Sequence, residues 1–314
     1  MRSVIRLELG SLLVFAALSG CGNLSNDDLQ FIAAIPHAQN LHVSVPAQSS
    51  SQALQVRSAC PLGRADSWVA SQATGEKINS GVDGIIALVE VIRGVAPTTR
   101  PDPTTRTWGP WLDSKHPGVS YQVIMTRNDN ADATPYSFEY TFNGQLSGGL
   151  WLPILTGTFF GAQAVSGAGF ITIHFDNALA LGTSQSTDPK VPVYFSYDLM
   201  GNPHTIAAHT PEFQANPFNY GFAGYEDGHG RFDYSFDSPN NFAHYFVQAW
   251  FTKAGAGKGE IDVNTFFGSA GQITECWDAN ACLGYINDPN NLLKLCLAGI
   301  APCTQGDAAT CPLF

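Results

Sequence analysis

Hydrophobic and polar positions change their period once along the chain. From Ala65 to Val95 the pattern is helical: Ile78, Val82, Ile85, Ile86, Val89 and Ile92 recur at the spacing of one helix face. Ser80 to Asp83 reads as a capping box with Asp83 in place of Glu, and Gly94 as a stop. Gly75, Gly81 and Gly84 interrupt the run and predict two helices with a break. A shorter helix is predicted over Asp27 to Ile35, ended by Pro36. Ala96 to Thr107, with Pro97, Pro101 and Pro103, predicts a linker.

Beyond the linker the period is two. Tyr121, Val123 and Met125 alternate with polar residues, as do Tyr136 to Phe142, Ile171 to Phe175, Val191 to Phe195, Phe232 to Phe236, Tyr245 to Phe251, and Ile261 with Val263. Turns are predicted at Asn143-Gly144, Gly201-Asn202-Pro203, Asp227-Gly228, Ser238-Pro239-Asn240 and Gly255 to Gly259. About eight to ten antiparallel strands follow from this spacing. The fold class is mainly β: an antiparallel meander forming a curved sheet, a sandwich or a partly open barrel. An N-terminal helical segment would cover its aromatic-lined face. The organisation reads as residues 1–20 leader, 21–63 tether and N-terminal segment, 64–107 helical segment and Pro-rich linker, 108–270 β domain, and 271–314 Cys-rich cap.

Composition narrows the function classes. Only 13% of the 314 residues are charged, and 15 Lys and Arg against 26 Asp and Glu give a net charge of −11. No basic run is present, so nucleic acid is not an expected partner. Twenty Phe, ten Tyr and six Trp exclude a disordered chain, because so much aromatic surface needs burial.

The first residues give an address. Arg2 and Arg6 precede an apolar run from Leu9 to Leu18, about ten residues, half of the roughly 20 a membrane-spanning helix needs. Leu18-Ser19-Gly20-Cys21 then resembles the bacterial lipobox. That resemblance implies cleavage before Cys21, two or three acyl chains on it, and a membrane partner held through them. Several chains anchor stably where one does not. Gly22, in place of the Asp that marks inner-membrane retention, implies the outer membrane, on either its periplasmic or its outer face. Gly22 to Asp28 would serve as a polar spacer.

Lipidation of Cys21 leaves Cys60, Cys276, Cys282, Cys296, Cys303 and Cys311, an even set that predicts up to three disulfides in an oxidising compartment. Fifteen pairings are open. Cys60 has no near neighbour and is expected to pair with the C-terminal group. Zinc is disfavoured, since Cys-x-x-Cys spacing is absent and no His lies among the last five cysteines.

Catalytic motifs are absent. Gly255-Ala256-Gly257-Lys258-Gly259 lacks the leading Gly and trailing Ser/Thr of a phosphate-binding loop, and Gly268-Ser269-Ala270-Gly271 misses the Gly-x-Ser-x-Gly spacing. Asp227-Gly228-His229 with Glu226 and Asp233 reads as a turn before an acid–base or metal site, and Asn128 to Asp132 as an Asx-rich turn before a calcium loop. Thr107-Trp108-Gly109-Pro110-Trp111 reads as a packed corner before a sugar platform, and Glu275-Cys276-Trp277 as a disulfide packed by an indole. No catalytic residue, metal or cofactor is assigned.

Together with Asp27 to Pro36, these features resemble a loose class of β-rich lipoproteins of Gram-negative bacteria, which implies a location and carries no activity over. The expected function is a non-enzymatic envelope lipoprotein whose β body binds an apolar ligand or lipid in a cavity between the sheet and the Ile78 to Ile92 face. The alternative is a structural or adhesive surface module that binds an unidentified protein or a glycan. A hydrolase with a non-local site stands third.

Overall fold

The computed structural model describes residues 24–46, 60–128, 137–161, 166–184, 189–213, 216–238, 243–265, 267–292 and 303–314. It is mostly antiparallel β. Helix α1 (Asn26–Ala33) starts at a reciprocal capping box: the Asp28 N–H donates to the Ser25 hydroxyl, and the Ser25 N–H to the Asp28 carboxylate. Asp27 and Asp28 therefore belong to a folded helix and not to a polar spacer.

Helix α2 (Asp66–Glu90) is one unbroken helix of 25 residues, and this corrects the expected break. Each interior glycine costs about 1 kcal/mol relative to alanine. Trp68, Val82, Ile86 and Val89 are buried, and each such side chain contributes roughly 1.5–3 kcal/mol. Burial therefore outweighs propensity. Ser80 and Asp83 lie inside the helix and cap nothing. The side chain of Ile85 lies outside the described set.

The predicted linker is also corrected, because it contains β1 (Thr99–Asp102) and the start of β2 (Thr105–Leu112), paired antiparallel. Pro101 is tolerated because β1 is an edge strand, and Pro103 lies in the β1–β2 turn. The meander continues through β3 (Val119–Asn128), β4 (Ser137–Leu146), β5 (Leu152–Phe160), β6 (Ala168–Ile173), the short helix α3 (Phe175–Ala180) and β7 (Val193–Asp198). It runs on through β8 (His204–Phe213), β9 (Asn216–Gly224), β10 (Gly230–Ser238), β11 (Ala243–Phe251), β12 (Gly257–Thr265), β13 (Gly268–Trp277), β14 (Leu283–Asp288) and β15 (Cys303–Gly306). All fifteen strands pair in chain order, without closure of β15 onto β1.

Asn143-Gly144 is not a turn, because both residues lie inside β4. A side chain at Gly144 would collide with Leu181 and Ile154, so this glycine serves packing. Asp227-Gly228 does turn the β9–β10 hairpin, with Gly228 at φ +89°. Pro239 and Asn240 lie outside the described residues.

The chain divides into two compact units that interleave: residues up to 42, 79–201 and 208–215, and residues 43–78, 202–207 and 216–314. In the first, Val123, Met125, Phe138, Tyr140, Phe159, Ile171 and Phe195 form one buried sheet face. Here α1 is latched to the strands by charge. Asp28 is fully buried and accepts from Arg100 and Arg106, while Asp27 accepts from Arg106 and Arg127. Arg106 and Arg127 also lie over the Phe31 ring. In the second unit Phe222, Phe232, Val247, Phe251, Ile261, Ile273 and Trp277 form the core.

Candidate functional site

The predicted cysteines divide as follows. Cys60 bonds Cys282 and Cys276 bonds Cys311, both within the second unit. Cys303 is also disulfide-bonded. Cys296 and the lipidation candidate Cys21 lie outside the described residues. Disulfides of this kind belong to an oxidising, exported environment. Among the described residues no helix is long and apolar enough to cross a membrane.

The motifs weighed above find structural uses. Gly255, at φ +94°, turns a hairpin, while Gly257 and Gly259 lie in β12. Side chains there would overlap Trp277 and Ser67 respectively, so the glycine spacing suits close packing and not a phosphate. Lys258 points to the other face, over the Trp250 ring and paired with Glu260 at 2.5 Å. Trp108 is fully buried and its indole N–H donates to the Val95 carbonyl at 2.8 Å. His229 stacks on Tyr225 and bonds Asp227 in a turn. Asn128 ends β3, and residues 129–132 lie outside the described set. Among the described residues no three of His, Cys, Asp and Glu gather to hold a metal ion.

Glu275 is a buried carboxylate that the sequence did not reveal. One oxygen accepts from the Ser67 N–H and hydroxyl, at 2.7 and 2.6 Å, in the first turn of α2. The other oxygen has no partner. Burial pushes its pKa up, and the Ser67 bonds oppose this. These bonds tie the first turn of α2 to β13.

The expected cavity between helix and sheet is present in the first unit, lined by Leu41, Val82, Ile86, Ile171, Ile173 and Phe195. Its volume is about 10 Å³, room for at most one water molecule.

The opposite, outward face of β5 to β8 in the same unit is different. Residues there are set by the period of two: Thr158 stands opposite Phe170, which stands opposite Ser196, and Thr156 opposite Thr172, which stands opposite Tyr194. Phe160, Phe170 and Tyr194 thus step diagonally from strand to strand, at about 7–8 Å per step. They are 41, 61 and 49% exposed. His209 of β8 extends the row, its ring stacked on Tyr194 at 6.4 Å. Thr156, Thr172 and Ser196 flank the rings, whereas the Thr158 hydroxyl is buried. Nothing in the sequence singled out this row, because Phe160 and Phe170 stand beside apolar neighbours that are buried and read as core.

No family model matches the chain, and no curated protein and no solved structure does either. What defines the class is therefore the fold itself, an open antiparallel meander carrying disulfides.

Proposed function

We propose that this protein is an exported lipoprotein, anchored through acyl chains on Cys21 in the outer membrane, that acts as a non-enzymatic surface module and binds glycan on the outward face of β5 to β8. The observation that carries the reading is the diagonal Phe160–Phe170–Tyr194–His209 row among hydroxyls. Flat aromatic faces suit the C–H-rich faces of sugar rings, and Thr and Ser hydroxyls both donate to and accept from sugar hydroxyls. The cavity described between helix and sheet, at about 10 Å³, is far too small for an apolar ligand and favours this module over a carrier.

The test uses the mature chain with Cys21→Ser, produced in the periplasm and passed over immobilised envelope polysaccharides. Retention is expected, and Phe170→Ala with Tyr194→Ala should weaken it about tenfold with an unchanged melting temperature. Equal retention of parent and variant would overturn the glycan reading. A bound lipid mass in native mass spectrometry would restore the carrier.

A further inference from the structure

The lipid anchor and the α1 latch together give the first unit a direction. We infer that the end of its sheet carrying the β1–β2 turn faces the lipid surface, and that the end carrying the β2–β3 and β4–β5 turns faces away. This rests on the Cys21 anchor proposed above.

The argument begins with chain length. Ser25 caps α1 and is fixed by its bonds with Asp28. Only four residues of backbone separate Cys21 from Ser25, which span at most about 14 Å fully extended. The acyl chains therefore lie close to the start of α1. That start is tied to one end of the strands: Arg100 lies in β1, Arg106 is near the start of β2 and Arg127 near the end of β3. All three converge on Asp27 and Asp28. The ten residues of β3 extend about 33 Å to the other end, more than twice the reach of the tether.

Charge does not set this direction, because the three guanidinium groups there meet Asp27 and Asp28, with the exposed Asp102 at the end of β1 and the exposed Glu139 of β4 beside them. The far end has a different character. Leu112 and Leu150 there are 78 and 82% exposed, an apolar rim that would reverse the orientation if it entered the bilayer instead.

The experiment uses the mature lipoprotein in vesicles of phosphatidylethanolamine and phosphatidylglycerol. A photo-crosslinking p-benzoylphenylalanine replaces Pro103, in the β1–β2 turn, or Ser147, in the β4–β5 turn. Lipid adducts are counted by mass spectrometry. At least five times more adduct is expected at position 103 than at 147. Arg127→Gln, which loosens the latch at a half-exposed partner, should bring that ratio towards one. Equal or reversed adducts on an acylated, vesicle-bound chain overturn the orientation alone, and a ratio unmoved by Arg127→Gln overturns the latch as its cause. A chain with no acyl mass on Cys21 that does not float with vesicles overturns the anchor itself, and the orientation with it.

Discussion

Gly157 of β5 stands opposite Tyr140 of β4, and Gly169 of β6 opposite Tyr197 of β7. In each pair the glycine leaves room for the ring, and a side chain at Gly157 would overlap Tyr140. Gly157→Ala is therefore expected to destabilise the fold by about 1–3 kcal/mol, read as a lower urea midpoint at unchanged slope. Glu275 makes a prediction of opposite tendency. Its folded pKa is raised above the ordinary 4.5, chiefly by burial. Below that value both folded and unfolded states are protonated, and the favourable contribution is complete. It is lost as pH rises from about 4.5 through the folded value. Glu275→Gln keeps an acceptor for Ser67 and removes the charge, so its stability relative to the parent should improve between pH 4 and pH 7. A constant difference across that range would refute the assignment. These contacts also explain what the sequence concealed. Alternation is plain at Tyr121, Val123 and Met125, where every inward residue is large. It is broken at Gly157 and Gly259, which face inward but are small because a Tyr ring and Ser67 occupy the space.

At the scale of elements, α2 shows why local propensity misleads. Its glycines predict a break, yet the buried positions on either side fix one rod. Gly81 has open space where a side chain would go. Gly81→Ala should therefore stabilise the protein by about 0.5–1 kcal/mol, since alanine is the better helix former and nothing has to move. Calorimetry checks this, and a lowered melting temperature would show a close contact after all. The α1 latch was half legible. Ser25 and Asp28 carry the capping signature, but the arginines that hold Asp28 lie 72 and 78 residues further on. The Arg100 guanidinium, followed by Ser25 and Arg106, holds the Asp28 carboxyl well below the usual range against the opposing effect of burial. Its contribution is present above about pH 3.8 and lost as pH falls below it. Asp28→Asn removes the buried carboxylate that Arg100 and Arg106 share, while Arg106 keeps Asp27, and should cost about 1.5–3 kcal/mol. Hydrogen exchange would show this first in α1, because the latch is what holds that helix down.

At the scale of the whole chain, the two compact units interleave in sequence, and two of their five boundaries fall inside α2 and β8. No change of composition marks either place, so a linear reading divides the chain at proline- and cysteine-rich stretches instead. Cysteine counting carries further, because an even set in an exported chain constrains pairing whatever the order of elements. Cys60–Cys282 spans 222 residues and Cys276–Cys311 spans 35. Chain entropy assigns them about 5 and about 4 kcal/mol respectively. Replacing both Cys60 and Cys282 by Ser should therefore lower the unfolding midpoint more than replacing both Cys276 and Cys311. The reverse order would mean that the unfolded chain already keeps its ends together. Cys303 is bonded as well, and with those four cysteines paired only Cys296 and Cys21 remain. An acyl chain on Cys21 removes it from the set. Peptide mapping of the mature protein without reduction should thus yield a Cys296–Cys303 bridge and no free thiol. A bridge from Cys303 to Cys21 would leave no sulfur for lipid, and the anchor would fall with it.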